Sequence, residues 1–353
     1  MHLYFTIIFL SLSFSSLFCS PKQTRQTTSY GQICDASAAV PLGPNHFIVA
    51  DDESNKLHIY ARSGTGQPVS IQSISKQLAI RPGSKNEEAD LEGAAAIGDT
   101  TYWITSHGRN KNGKYRANRH RFLALIVKPS SPKGELRHVG VTYRNLLKDL
   151  MDYDAHYGLG LHEASRLDSL NRKKKIAKMR HLAPKATGTN IEGLCRNKNG
   201  QGLLIGFRNP RPAGKALLVP MQNPQDVLLK SSKPIFAPPF LLDLNDLGIR
   251  SIALNDVDGN YYIIAGPHHS KRGSMLYRWS GERGEKPQLL QAVNGLNPEA
   301  LIFYKKSSMM QLLSDDGTLP DLSGAGDCKD LDDPAQKSFR SIVFQLDAFA
   351  EKR

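Results

Sequence analysis

From Thr24 onward the chain consists of short apolar runs separated by polar, Gly-, Pro- or Asn-containing breaks, a pattern of strands and turns. A small apolar run from Ile33 to Val40 is followed by the turn Pro41–Asn45 and by further runs at Phe47–Ala50, Leu57–Tyr60 and Val69–Ile74. The order then recurs. Gly93–Ile97, Thr101–Thr105, Phe122–Val127 and Leu136–Val141 make a second set. Gly193–Cys195, Leu203–Phe207, Ala216–Val219 and Val227–Leu229 make a third. Arg250–Leu254, Tyr261–Ala265, Met275–Trp279 and Gln288–Ala292 make a fourth. A fifth set, Ala300–Tyr304, Met309–Leu313 and Ser341–Leu346, has only three strands.

A repeat of about 45–60 residues with four short strands is the sequence mark of a β-propeller blade. A propeller must close its ring, and the otherwise unassigned segment Thr27–Ile33 can supply the strand missing from the fifth set. The pattern therefore predicts an all-β fold: one domain over residues 27–347, a propeller of five four-stranded blades with an N-terminal closing strand. Six blades, or a sandwich, are the alternatives. One insert, residues 142–189, interrupts the pattern and is several times the usual loop length. Within it Glu163–Leu182 predicts a helix, with Leu167, Leu170, Ile176, Met179 and Leu182 on its apolar face. Arg172, Lys173, Lys174, Lys175, Lys178 and Arg180 fall on the other face, which reads either as a solvated surface or as an anion-binding lid.

Three echoes mark the starts of first strands: Asp90-Leu91-Glu92-Gly93-Ala94, Asn190-Ile191-Glu192-Gly193-Leu194 and Asn297-Pro298-Glu299-Ala300-Leu301. Because strand direction alternates, these starts share a face with the loops joining second and third strands. That face should receive Asp35, Glu92, Glu192, Arg250 and Glu299 from strand starts. From the loops it should receive Asp51, Asp52, His107, Arg109, Asn110, Arg208, Asn209, Arg211, His268, His269, Asp315 and Asp316. The insert joins the same face. The opposite face receives turn residues. Among them, Asp256-Val257-Asp258-Gly259 begins like a calcium loop but lacks the later glutamate, so it reads as a hairpin turn.

Glutamates ringing a channel mouth need compensation. Two unit charges ~6 Å apart repel by about 3 kcal/mol at an effective dielectric of 20. A hard cation, Ca²⁺ or Mg²⁺, could sit among Glu92, Glu192, Glu299 and Asp35. Alternatively Arg250, in the same ring, neutralises one or two carboxylates without metal. The loops Ser106–Lys114 and Phe207–Arg211 are rich in arginine and asparagine, and guanidinium forks suit phosphate or carboxylate. Arg109, Asn110, Arg208, Asn209, Arg211 and Arg250 are thus the anion-binding candidates. Glu92, Glu192 and Glu299 are candidate bases and His107 a candidate acid. Alternatively these arginines cap the glutamates. No P-loop, G-x-S-x-G elbow or H-E-x-x-H motif is present.

Composition adds direction and compartment. The 353 residues carry a formal net charge of +13, which favours acidic partners: anionic small molecules, glycans, nucleic acid or anionic lipid. An anionic small molecule or glycan fits the funnel best. Nucleic acid fits less well, because aromatic residues do not interleave with the basic residues of the insert. Residues 1–20, with the uncharged run Leu3–Phe18, look like an export signal lacking a basic start. Pro21 disfavours a cut after Ser20. Cys19 offers a lipid anchor as the alternative, though Phe18 before it is bulky. Every later apolar run is too short to span a bilayer, so membrane contact is expected only through the signal or its anchor. A monomer is expected. Cys34 and Cys328 fall on one face where the first and fifth blades meet, which predicts a disulfide, in keeping with export. Cys195, on an inner strand, is expected as a buried thiol.

The motifs Ile33–Ala39, Glu92-Gly93, Glu192-Gly193, Ser106–Asn110, Phe207–Arg211, Gly248–Ile252 and Ile264–Pro267 resemble, in order, those of an uncharacterised, largely bacterial family, domain of unknown function 3616. The resemblance runs from about residue 33 to 346 and brings no activity with it. More distantly, the Asp-x-Glu-Gly repeat is similar to esterase-like propellers of the phytase type, which implies hydrolysis of a phosphate ester by analogy of fold. The long basic insert is a departure from that pattern. The expectations are a hydrolase of phosphate esters or other anionic substrates, or a non-catalytic propeller binding an anionic ligand, glycan or protein in the same funnel.

Overall fold

The computed structural model describes residues 27–81, 83–84, 86–127, 135–167, 179–269, 273–320 and 326–346. Five antiparallel four-stranded sheets stand in a ring. Blade 1 is β2 (Ala38–Leu42), β3 (His46–Ala50), β4 (Lys56–Ala61) and β5 (Pro68–Ser73). Blade 2 is β6 (Leu91–Ile97), β7 (Thr100–Thr105), β8 (Phe122–Val127) and β9 (Leu136–Tyr143). Blade 3 is β10 (Asn190–Arg196), β11 (Leu203–Asn209), β12 (Ala216–Met221) and β13 (Phe240–Leu242). Blade 4 is β14 (Gly248–Leu254), β15 (Tyr261–Gly266), β16 (Ser274–Trp279) and β17 (Gln288–Val293). Blade 5 combines β18 (Pro298–Phe303), β19 (Met309–Ser314) and β20 (Ser338–Gln345) with β1 (Thr27–Gly31), which pairs antiparallel to β20 from Thr27 opposite Ile342 to Gly31 opposite Ser338. The five-bladed propeller and its N-terminal closure follow the sequence pattern.

The core lies between blades rather than inside one. Leu57, Ile59 and Ile48 of blade 1 pack with Trp103, Leu123 and Leu125 of blade 2, and Ile104 and Phe122 pack with Ile205 and Phe207 of blade 3. At the closure Tyr30 stacks on Phe339 and meets Phe47 and Tyr60 edge-on. Blades must approach closely at the axis, which explains the small residue after each glutamate. A Cβ on Gly193 would lie 2.9 Å from Ile249 Cγ2 and 3.1 Å from the Gly206 Cα. The Cys34–Cys328 disulfide ties the approach to β2 to the loop after β19, across the closure, and Cys195 is buried and free.

Two sequence expectations are corrected. Val227–Leu229 is not the outer strand of blade 3. It belongs to a helix, Pro224–Leu229, started by Pro224 in its first turn, and the outer strand comes later at Phe240–Leu242. The expected helix Glu163–Leu182 is also not continuous. The insert instead opens with α1 (Leu146–Asp154), and α2 (Leu161–Ser165) is stopped by Arg166 in the left-handed conformation, φ 49°. Leu170 and the basic run Arg172–Lys175 with Lys178 lie outside the described residues, as do residues 1–20.

Candidate functional site

The expected residues reach the channel through a shared backbone device. In four blades the pairing of the first strand with the second skips one residue: between Leu91 and Gly93, Ile191 and Gly193, Ile249 and Ser251, and Pro298 and Ala300. The skipped residues are Glu92, Glu192, Arg250 and Glu299. A bulge turns the extra side chain out of the alternation, here toward the mouth of the channel. Arg250 therefore occupies the blade 4 position of the ring, and Asp35, ahead of β2, supplies blade 1.

Arg250 is completely buried and sits behind two of the glutamates. Its NH2 pairs with Glu299 Oε1, its Nε lies 3.6 Å from Glu192 Oε2, and its NH1 donates to Asn297 Oδ1. Glu192 Oε1 accepts from Arg208 NH1 at 2.7 Å and from Asn190 Nδ2 at 2.7 Å. Burial and the neighbouring Arg208 lower the Arg250 pKa to about 10, while Glu192, Asp315 and Glu92 oppose the shift. Glu192 and Glu299 thus take the arginine-satisfied arrangement rather than the metal-ligand arrangement.

A second, more acidic half of the mouth lies on blades 1 and 2. Carboxylate oxygens of Asp35, Asp51 and Asp52 lie within 4.8 Å of one another, and so do those of Asp52, Asp90 and Glu92. Asp52 belongs to both groups, and its buried Oδ1 has no hydrogen-bond partner among the described residues. Burial, followed by Asp51, Asp90, Asp315 and Glu53, pushes the Asp52 carboxyl well above its ordinary range. Burial, then Asp315, raises Asp35 to about 11, and burial with Asp90, Glu192 and Asp52 raises Glu92 while Arg119 opposes. Asp90 is held in the left-handed region, φ 63°, and its carboxylate is 2.8 Å from Arg119 NH1. Asp35, Asp52, Asp90 and Glu92 open on a cavity of about 380 Å³ lined by nine carboxylates against the cations Lys111, Arg119, Lys185, Arg208 and Lys329. The insert contributes Ala183, Pro184 and Lys185 to its wall. The other end of the channel, about 420 Å³, is walled largely by apolar residues such as Ala39, Ala95, Leu194, Ile252 and Leu301, and offers no comparable chemistry.

The remaining candidates divide. Asn110 lines the funnel, though its Oδ1 accepts from the Asn112 and Lys114 amides. Asn209 donates to the Pro184 and Ala186 carbonyls and holds the insert down. Arg211 leans outward onto Asp246 and His268, with NH1 2.8 Å from Asp246 Oδ1. Arg109 and His107 are buried away from the funnel. Arg109 NH2 donates to Ser165 O at 3.1 Å, and His107 Nδ1 donates to Thr105 O at 2.8 Å. The structure does not gather the six anion-binding candidates into one clamp; most are committed to carboxylates and carbonyls of the chain. Asp51 and Asp52 stand on the expected face without a role, Asp90 stands only at the head of an echo, and Arg119 is not among the candidates. The signal for Asp90 was its place at the head of an echo; for Asp51 and Asp52 it was adjacency at the end of a second strand.

Fold and site define a five-bladed β-propeller with an acidic funnel at one end of its channel. More specifically, the family model described as protein of unknown function (DUF3616) matches residues 35–308, most of the chain, and the chain belongs to that family. No curated protein matches significantly. Among solved structures, the β-propeller domain of Cps50 (Swd1) from Myceliophthora thermophila is similar at 13% identity and a TM-score of 0.38, covering 91% of this chain and 98% of that one. The nidogen/laminin complex is similar at 11% identity and a TM-score of 0.36, covering 77% of this chain and 70% of that one. Values this low bear on neither activity nor ligand.

Proposed function

We propose that this is an exported propeller whose funnel binds a divalent cation on blades 1 and 2 and, through it, an anionic substrate of the phosphate-ester class. The observation that carries the reading is the pair of carboxylate groups sharing Asp52. Five clustered carboxylates with one orphaned oxygen repel a bare anion and favour a hard cation, Ca²⁺ or Mg²⁺. A bound ion would polarise a phosphoryl oxygen and activate water. The chain's own residues provide the rest. Asp35, Asp51, Asp52, Asp90 and Glu92 hold the cation. Lys111, Lys185 and Lys329 line the same cavity and meet the charge on the ester. Arg250 and Arg208 fix Glu192 as a hydrogen-bond acceptor facing the funnel. The Cys34–Cys328 disulfide supports an oxidising compartment.

A second reading, binding of an anionic ligand or glycan without turnover, is favoured by one fact. The described lining of the funnel includes no Ser, Thr, Cys or His to act as nucleophile or acid. A phosphoesterase panel run with Ca²⁺, with Mg²⁺ and with chelator decides between them. Turnover that dies in chelator and in Asp52→Asn supports hydrolysis. Cation-dependent binding of the esters without turnover supports the second reading, and neither binding nor turnover would remove both.

A further inference from the structure

A separate cavity lies under the insert, away from the funnel. Its volume is about 10 Å³, room for a single small occupant. His107, Arg109, Tyr115 and His120 line it from the loop joining β7 and β8. The insert lines it with Leu147, Ala164, Ser165, Leu167 and Thr189. Four of these residues carry a buried polar atom without a hydrogen-bond partner among the described residues: His107 Nε2, Arg109 Nε, His120 Nε2 and Thr189 Oγ1. The four residues are between 1% and 6% exposed, so bulk water does not satisfy them.

Arg109 decides what the cavity holds. Among the described residues its two terminal nitrogens reach carbonyls, Ser165 O and Gly113 O, and it forms no ion pair with a carboxylate. A neutral water would satisfy the Nε–H but leave a buried guanidinium uncompensated, which proteins avoid. Nearby Arg121 is also buried and, among the described residues, bonds to carbonyls and to Asn118 Oδ1, so it adds to the positive field. We infer that the cavity binds a monoatomic anion, chloride in ordinary solution, between Arg109 Nε–H and Thr189 Oγ–H. The anion fastens the insert to blade 2, and the same insert supplies the Pro184 wall of the funnel.

His107 adds a condition. Its Nδ1 donates to the Thr105 carbonyl, so Nε2 offers a lone pair when the ring is neutral and a donor when it is protonated. Anion uptake is therefore accompanied by uptake of a proton, and binding tightens as pH falls. The groups facing His107 are Arg109, Tyr115, His120 and Arg121, all from blade 2 and its loop, and the residues the insert adds to the lining do not titrate.

Crystals grown without halide and soaked in bromide test this, together with thermal melts in chloride, bromide and gluconate at one ionic strength. The expected result is an anomalous peak in the cavity and a melting temperature that rises with halide, more steeply at pH 5 than at pH 8. Arg109→Met should abolish the dependence. If that variant does not fold, Thr189→Val decides: loss of one hydrogen bond should weaken half-saturation by about fivefold. A cavity showing only a water, or melts identical in the three salts, would overturn the proposal.

Discussion

Arg250 is the residue on which the ring's electrostatics turn. It is buried without solvent and answers Glu192 and Glu299 together. Removing one partner of a buried ion pair strands the other's charge and costs about 3–5 kcal/mol. Arg250→Met should therefore lower unfolding free energy by that amount in a denaturant titration, whereas an exposed pair such as Lys198–Glu282 should contribute under about 1 kcal/mol. His58 gives a pH prediction. Burial lowers its pKa from 6.5 to about 4. Between those values the unfolded chain binds a proton that the folded chain does not, so this group's contribution to stability is full above pH 6.5 and is lost as pH falls toward 4. The limiting slope is about 1.4 kcal/mol per pH unit. Subtracting the stability curve of His58→Gln from that of the native protein should isolate the slope; a flat difference across the window would contradict it.

At the scale of elements, the regular strands were legible and the exceptions were not. Four-strand sets could be read because each strand is short, apolar and bounded by turn residues. Blade 3 misled because Val227, Leu228 and Leu229 look like a strand, while the true edge strand at Phe240 hides behind Pro238 and Pro239. The β-bulges at Glu92, Glu192, Arg250 and Glu299 were equally invisible, since a one-residue register shift depends on the partner strand. Closure was legible, because a fifth set with three strands demands a strand from elsewhere. The disulfide across that closure should contribute about 2–5 kcal/mol, so the double change Cys34→Ser with Cys328→Ser should lower the denaturation midpoint accordingly. Cys195 behaves differently. Burial pushes its thiol up to about 12, and its peptide should label with a thiol reagent only after unfolding.

For the molecule as a whole, topology told which loops share a face, and this located the funnel from sequence alone. Side-chain partnership was not readable there. Arg109 and Arg211 stand in arginine-rich loops that suggest an anion clamp, yet one is sealed under the insert and the other pairs with Asp246. Asp52 and Asp90 are far apart in the chain and meet only because blades 1 and 2 adjoin at the axis. The result is a strongly basic chain with an acid-walled funnel, for which the proposed first ligand is a cation, on blades 1 and 2 rather than among all the ring glutamates. Asp52, common to both carboxylate groups, is the residue whose loss should affect the funnel most. The direct measurement is calorimetric titration of chelator-treated protein with Ca²⁺ and with Mg²⁺, native against Asp52→Asn. The account predicts saturable binding of at least one ion per chain, weakened by a factor of about 100 or more in the variant, as loss of a charged ligand from a buried site would give. Absence of binding to the native protein at millimolar ion, or unchanged binding in Asp52→Asn, would contradict it.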